Sequence, residues 1–471
     1  MKHYETIIIG GGIVGAGIFR DLGLHGVSTL LIDKSDFASE TSERSSKMLH
    51  GGIRYLENFD FKLVFEALHE KNTWIKLAPH LAYESPFYLP VFNNSKRPLW
   101  MIRIGLFLYD LLSGFSNSPY AIKSREEMQK LMPLLKQDGL TGAGLYHDAI
   151  IDDAKMCLEV IYDALEEPNC TALNHHALID VKNENEKSIL TIRNLLNNNI
   201  IKVSAKFVVF AVGPFTDQLL KKFSEYHWTD VLLPSKGSHL WIDKKALPID
   251  RPVVITTNDN RVIFVVPQQD KILVGTTEIP LTEALDEMKI SGNETQYLLD
   301  ALNLYFPKQN LTSAHILSTF AGVRPLIRDQ ESANRSTTSR EHKVYMPNAH
   351  TFVIAGGKYT TFRVMGQEIS RDICHQKNLS YNPERTISPL RRKSVVLPFS
   401  WKLPNELELE LILRVEMPKT FEDLVKRRLS IASRSIWKLK TNQDFDQYFL
   451  GHKELLNRYF VFSEMTLADF I

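Results

Sequence analysis

The sequence predicts an α/β protein in which a parallel-sheet domain is interleaved with a domain built on an antiparallel sheet, followed by a small helical cap. Three observations carry this. A β-branched run at Tyr4–Ile9 leads into closely spaced glycines, a helical stretch and a second strand. Two later strands, in KFVVFAVGP (206–214) and TFVIAGGKYTTFR (351–363), also run into turns of small residues. Between them, RVIFVVP and KILVGTTE read as neighbouring alternating strands of an antiparallel sheet with one covered face.

The opening element is the most informative. Gly10, Gly12 and Gly15 form G-x-G-x-x-G after the first strand, Ile13–His25 reads as a helix, and the strand STLLI ends at Asp33. In such a unit the first glycine permits the tight turn, the second lets backbone N–H groups approach a pyrophosphate, and the third lets helix and strand pack closely. The helix N-terminus presents unpaired donors to that anion, and the acid accepts from ribose hydroxyls. The order is a Rossmann-like dinucleotide fingerprint, but it does not separate NAD from FAD. The two late strands favour FAD, because a cofactor domain revisited so far along the chain suits an elongated flavin dinucleotide.

The bulk numbers fit. A chain of 471 residues, 44% hydrophobic and 24% charged, supports two or three globular domains. A formal net charge of +1 argues against a nucleic-acid partner drawn by a basic field. Cys157, Cys170 and Cys374 are too few and too scattered for a disulfide framework or a metal motif, so a reducing compartment and no metal are expected. No stretch reads as a transmembrane helix, and the glycines of TIIIGGGIVGAGIF argue against a signal-peptide core.

SSKMLHGGIRYLE (45–57) crowds serines, a lysine, a histidine, paired glycines, an arginine and a tyrosine into one short stretch. That mixture suits a segment bridging a cofactor and an anionic substrate, although a surface loop has the same composition. The motifs IIIGGGIVGAGI, TSERSSKMLHGGIRYLE, APHL, RPLWMIRIGLFLYDLLSG, DDAK, KGSH, GTTE, AGVRPL, SREH and GGKYTTF, in that order, resemble the FAD-dependent, quinone-linked glycerol-3-phosphate dehydrogenases over roughly residues 4–385.

The resemblance implies oxidation of sn-glycerol 3-phosphate to dihydroxyacetone phosphate, with hydride passing to flavin N5 and electrons to a membrane quinone. It also implies which residues matter. Beside Gly10, Gly12, Gly15 and Asp33, the cofactor would be met by Thr41, Ser45, Ser46, Lys47, His50 and Gly51, and by Gly213, Gly357 and Thr360. The substrate would be met by Arg54, Tyr55, His239, Arg324, Arg340 and Lys358, with His239, Arg324 and Lys358 in catalytic roles. Arginine suits a phosphate monoester because its planar fork bonds two oxygens and stays charged. An imidazole that titrates near neutral pH suits removal of the hydroxyl proton. The sequence leaves open whether His239, His50 or a cationic side chain is the base. Glu43, Glu278, Val212 and Phe215 depart from the family's usual serine, aspartate, threonine and tryptophan.

The FAD-binding domain is expected at 1–80, 150–230 and 345–385, the substrate domain at 81–149 and 231–344, and a shortened helical cap at 386–471. NENEKSILTIRNLLNNNI reads as a peripheral hairpin or loop. In RPLWMIRIGLFLYDLLSG, Trp100, Ile104, Phe107, Leu108 and Leu111 share a helical face opposite Arg103 and Asp110. A buried core helix and a helix lying in a membrane interface both fit. The resemblance favours the membrane, hence a peripheral place on the cytoplasmic face of the cell membrane, and leaves room for a homodimer. Other readings stay open: an oxidase that uses oxygen, a related FAD enzyme of amino or hydroxy acids, and a non-catalytic FAD-binding subunit.

Overall fold

The computed structural model describes residues 1–184, 186–257, 259–281, 284–285, 288–328, 342–399, 403–429 and 442–459. The chain divides into two compact units: Met1–Glu43, Asp152–Pro234 and Arg324–Ile471 form the first, and Arg44–Ile151 with Ser235–Val323 the second. The first unit thus hands over at Glu43, well before the expected residue 80. It also takes in the C-terminal segment, which does not form a unit of its own.

In the first unit, β1 (Lys2–Ile9) is the centre of a sheet. The strands run His342–Asn348, Thr351–Gly356, Ile200–Phe210, β1, β2 (Thr29–Ile32) and Cys170–Leu173, and all but the first pair in parallel. Parallel strands are covered on both faces, which is why the end of β1, Ile7–Ile9, and most of β2 are apolar runs. Ile7, Ile8, Leu30 and Leu31 are fully buried, and each such side chain contributes ~1.5–3 kcal/mol. Of the asparagine-rich stretch 183–200, Lys187–Asn194 is a strand of this sheet, antiparallel to His176–Glu184 before it and to Ile200–Phe210 after it.

Helix α1 (Ile13–Leu24) crosses a later helix, Phe362–Gln376, with unusually little between them. A Cβ on Gly366 would lie 2.9 Å from the carbonyl carbon of Gly17. The C-terminal segment is tied to the same unit by a buried arginine. Arg20 pairs with Asp163 at 2.6 Å and donates to the carbonyls of Thr386 and Ser388, both at 2.9 Å. The DDAK motif is a helix start: the Asp152 carboxylate accepts from the Lys155 N–H, and the Lys155 ammonium bonds the Val396 carbonyl. Further on, Leu409, Ile412, Leu424 and Leu456 form a small core.

The second unit is built on a sheet ordered Ile279–Pro280, Ser235–Asp243, Lys271–Gly275, Val262–Gln268, Val253–Thr256, Ala82–Phe92, Leu140–Ile151 and Met48–Leu49. Its pairs are antiparallel except where Val253 meets Tyr88. Val262–Gln268 alternates in burial as its sequence suggests, but Lys271–Gly275 is buried at every position and so has no solvent face. Two helices of this unit, α2 (Phe61–Leu77) and α3 (Leu99–Leu112), contact each other.

Helix α3 buries one side of the face expected to be polar and exposes the apolar one. Ile102, Leu106, Tyr109 and Asp110 point inward, whereas Trp100, Ile104, Phe107 and Leu111 are exposed, Trp100 by 64%. Asp110 can turn inward because its carboxylate accepts from the Tyr120 N–H at 2.8 Å. The core-helix reading therefore fails for the face that Trp100, Ile104, Phe107 and Leu111 share. Among the described residues, no helix is long and apolar enough to cross a membrane.

Candidate active site

In the first unit, the glycine turn is fixed by close contact. Gly10 has φ +108°, and a Cβ there would come within 2.4 Å of the Ala211 carbonyl oxygen. A Cβ on Gly15 would lie 1.9 Å from the Gly10 carbonyl oxygen, so no other residue fits. Gly12 is the N-cap of α1 and offers no capping side chain. Its place is taken from a distance, because the Ser42 hydroxyl accepts from the Ile13 N–H at 2.9 Å. Sequence reasoning passed over Ser42 in favour of its neighbour Thr41, which is half-buried in the same turn.

Asp33 follows β2 and accepts from the Gly11 N–H at 2.7 Å and the Ser35 N–H at 2.8 Å. Burial lifts its carboxyl to about 6, against the pull of those two N–H groups. The loop after it is packed onto the fingerprint: Phe37 is fully buried against Gly11, and the Ala38 N–H donates to the Gly11 carbonyl at 3.0 Å. Gly213 and Gly357 have φ +53° and +84°, at the ends of Ile200–Phe210 and Thr351–Gly356. Lys358 is half-buried where the chain turns into the short helix Tyr359–Thr361, which holds the buried Thr360. Arg324, half-buried, ends the strand Ile316–Arg324. Arg340 lies outside the described residues.

The first unit also holds a buried charge cluster of Asp36, Glu43, Asp423, Arg427 and Arg428. Asp36 is held by both Arg427 and Arg428, and Arg427 reaches Glu43 at 3.3 Å and Asp423 at 3.1 Å. Burial raises the Asp36 carboxyl, but the two guanidiniums, Arg428 first, overcome it and hold the group well below the ordinary range. Oxygens of Asp36 and Asp423 lie close to a His175 ring nitrogen, a grouping that could in principle hold a metal ion. Its carboxylates are already bonded by the arginines and by His175 itself, at 2.8 Å from Asp423.

In the second unit the centre is His239, on the fully covered strand that starts with the KGSH motif. Its Nε2 lies 2.9 Å from the Ser46 hydroxyl, and its ring stacks on Phe320 with centroids 4.7 Å apart and planes within 9°. The ring fits only because residue 275 is glycine, where a Cβ would come 2.1 Å from His239 Cδ2. Lys47 stands over the opposite partner of that stack, 5.5 Å from the Phe320 centroid. Glu294 holds the strand from behind, pairing with Lys236 at 2.9 Å and accepting from the Ser238 hydroxyl at 2.6 Å.

The rest of the bridging stretch is spread along one path. His50 stacks loosely on Phe264, and Gly51 donates to the Tyr109 hydroxyl at 2.9 Å. The paired glycines Gly51 and Gly52 serve different ends. Gly51 is small because a Cβ would meet Tyr109 at 2.5 Å and Leu68 at 2.6 Å; the bend is at Gly52, with φ +75°. Arg54 is half-buried beside the buried Tyr55. Burial would lower its pKa, but Tyr55 and Glu278 raise it, so the guanidinium keeps its charge. Within this unit Ser46 and His239 meet, while Arg54 and Tyr55 form a separate pair. Ser45 supports the turn between them by accepting from the Lys47 N–H at 3.0 Å.

A parallel sheet with a glycine turn at the end of its central strand, an acid closing the next strand, and a later return of the chain beside it define a flavin dinucleotide fold. The turn fits FAD because Gly10 and Gly15 let strand and helix close on each other and Gly12 leaves the helix start without a side chain, so Gly10, Gly12, Gly15 and Asp33 are the residues that would hold it. The chain belongs to the FAD dependent oxidoreductase family, whose model matches residues 5–372. It is 34% identical over 400 residues to an aerobic glycerol-3-phosphate dehydrogenase of Bacillus subtilis, a match spanning 84% of this chain and 70% of that protein. It is 36% identical over 340 residues to an alpha-glycerophosphate oxidase of Streptococcus pyogenes, spanning 71% of this chain and only 56% of the relative. Among solved structures it resembles the FAD complex of a glycerol-3-phosphate dehydrogenase from Bacillus halodurans, with a TM-score of 0.74, 23% identity, and 96% and 91% of the two chains covered. At that identity the structure speaks for the fold alone. The family resemblance and the FAD cofactor read from the motifs hold.

Proposed function

We propose that this chain oxidises sn-glycerol 3-phosphate to dihydroxyacetone phosphate and that a membrane quinone takes the electrons. The observation that carries the reading is the buried His239 with the Ser46 hydroxyl 2.9 Å from Nε2, in a chain one-third identical to a glycerol-3-phosphate dehydrogenase. When bound, FAD supplies the hydride acceptor. His239 takes the hydroxyl proton, and the Phe320 stack holds its ring in one orientation while that proton moves. Ser46 fixes the imidazole's Nε2 edge. Arg54, Arg324, Arg340 and Lys358 bind the phosphate, each charge-assisted bond contributing ~1.5–3 kcal/mol.

The exposed face of α3 supports a peripheral membrane role. Trp100, Ile104, Phe107 and Leu111 present bulky apolar groups to solvent, and Phe59, Phe61, Phe65 and Phe115 are exposed nearby in the sequence. An amphipathic helix of this kind lies in the headgroup region, where a quinone is within reach. A second reading, reoxidation by oxygen, is favoured by the streptococcal relatives named as oxidases.

The test is an anaerobic flavin spectrum before and after adding sn-glycerol 3-phosphate. Bleaching of the oxidised bands is expected; flavin that stays oxidised overturns the substrate. Oxygen uptake without quinone, at the rate seen with a soluble quinone, would replace the quinone by oxygen.

A further inference from the structure

We propose that Arg427 and Arg428, on the C-terminal segment, are positioning residues for FAD that fasten the loop from Asp33 to Glu43 against the glycine fingerprint. The loop is held on two sides. Toward the fingerprint, Asp33 accepts from Gly11, the Ala38 N–H donates to Gly11, and Ser42 accepts from Ile13 at the start of α1. Toward the C-terminal segment, Asp36 and Glu43 bracket the loop and both bond Arg427. Those residues have no local reason to be acidic. Asp36 is buried beside Phe37, where an unpaired carboxylate would be very costly.

The backbone explains how two successive arginines serve one carboxylate. On a regular α-helix, neighbouring side chains diverge by about 100°. Leu424–Arg428 instead forms a wider π turn, a feature that recurs at functional sites. From it Arg427 Nε reaches Asp36 at 2.5 Å and Arg428 Nη2 reaches it at 2.9 Å. The Arg428 guanidinium is also held by the Glu416 carbonyl at 2.8 Å, and Asn174 donates to Asp36 at 2.8 Å. The turn starts from a capped helix end, where the Thr420 hydroxyl accepts from the Asp423 N–H at 3.1 Å.

This gives the unusual Glu43 a purpose. It sits at the last residue of the first unit before the chain leaves it, so its bond to Arg427 fixes the end of the loop that carries Ser42. Without the arginines the loop loses its anchors and the donors at the start of α1 lose their fixed neighbour. FAD should then leave more readily even though the glycine turn is intact.

The experiment follows flavin release from the holoenzyme. Purified protein is diluted to nanomolar concentration and the rise of free FAD fluorescence is timed for the wild type, Arg427→Met, Arg427→Lys, Glu43→Gln and the double variant Glu43→Gln/Arg427→Met. Release should be about tenfold or more faster in Arg427→Met and several-fold faster in Glu43→Gln, the loss expected for charge-assisted bonds. Arg427→Lys should fall between, because the charge remains and the fork is lost. The double variant should release no faster than Arg427→Met alone, since both remove the same link. Release within twofold of wild type in Arg427→Met, even with a lowered melting temperature, overturns the proposal. Should Arg427→Met not fold, Glu43→Gln decides alone, and an unchanged release rate there overturns it too. No substrate enters the assay, so its failure is separate from any failure of the glycerol 3-phosphate reading.

Discussion

Glu294→Gln tests how the strand that carries His239 is held. Glu294 is the third residue of the helix Gly292–Tyr305 and closes a capping box with Ser291. One carboxylate oxygen accepts from Ser238 at 2.6 Å and Thr277 at 3.1 Å; the other accepts from the Ser291 N–H at 3.0 Å, its hydroxyl at 2.9 Å and Lys236 at 2.9 Å. Burial alone would raise this carboxyl, but the donors, led by Ser238, bring it down to about 2. The amide has a single acceptor oxygen and no charge, and with its NH2 toward Ser238 and Thr277 both hydroxyls must turn round to accept. It also removes the charge that faces the Lys236 ammonium, which keeps its bond to the Lys289 carbonyl at 3.0 Å. Breaking a buried ion pair costs ~3–5 kcal/mol, and that residual bond reduces the expected loss to roughly 2–4 kcal/mol.

The sign of the pH dependence follows from the depressed folded value. Stability from Glu294 is fully present above the unfolded value of 4.5 and is lost as pH falls toward about 2. That difference corresponds to ~3 kcal/mol, or roughly 1–3 kcal/mol after allowance for solvent screening near the helix start. Urea midpoints should therefore show the largest gap between wild type and Glu294→Gln at pH 7, with the gap narrowing as pH drops below 4.5. A gap that stays constant down to pH 3.5, or no gap at pH 7, would refute the assignment.

Three further outcomes are expected. Gly15→Ala should yield protein without bound flavin, read from the absorbance ratio of flavin to protein, because the new methyl would overlap the Gly10 carbonyl. Arg324→Ala and Lys358→Ala should each lower kcat/KM for glycerol 3-phosphate about ten- to a hundredfold and leave oxidation of unphosphorylated glycerol analogues unchanged; an equal loss on both substrates would show that neither side chain reads the phosphate. Replacing Trp100 and Phe107 together by glutamine should reduce co-sedimentation with phospholipid vesicles by about tenfold or more, and undiminished binding would remove α3 from the membrane contact.

The parts legible in the sequence are those whose chemistry is local. The fingerprint could be read because Gly10 and Gly15 meet each other across one turn, so spacing and function coincide. Helix α3 was harder: both of its faces carry large apolar groups, and periodicity gives their separation but not which of them finds a partner. Asp110, the residue that seemed to mark the wet face, is buried by a bond to Tyr120, ten residues on. The partners that complete each centre come from far along the chain. Ser46 meets His239 across 193 residues and Asp36 meets Arg427 across 391, and no pattern in either neighbourhood names the other.

The strand order of the first unit also sets a timetable. β1 is made first, yet its neighbour Ile200–Phe210 comes some two hundred residues later, and the strand beyond that ends at Gly356. At a synthesis rate of ~5–20 residues per second, the first strand waits on the order of ten seconds or more for one side of its pairing and longer for the sheet to fill. During that wait an apolar edge rich in isoleucine stays open to other nascent chains. Yield in a cell should thus depend on how well that early edge is shielded during translation, and slowing synthesis without added holding capacity should send more of this protein into aggregates.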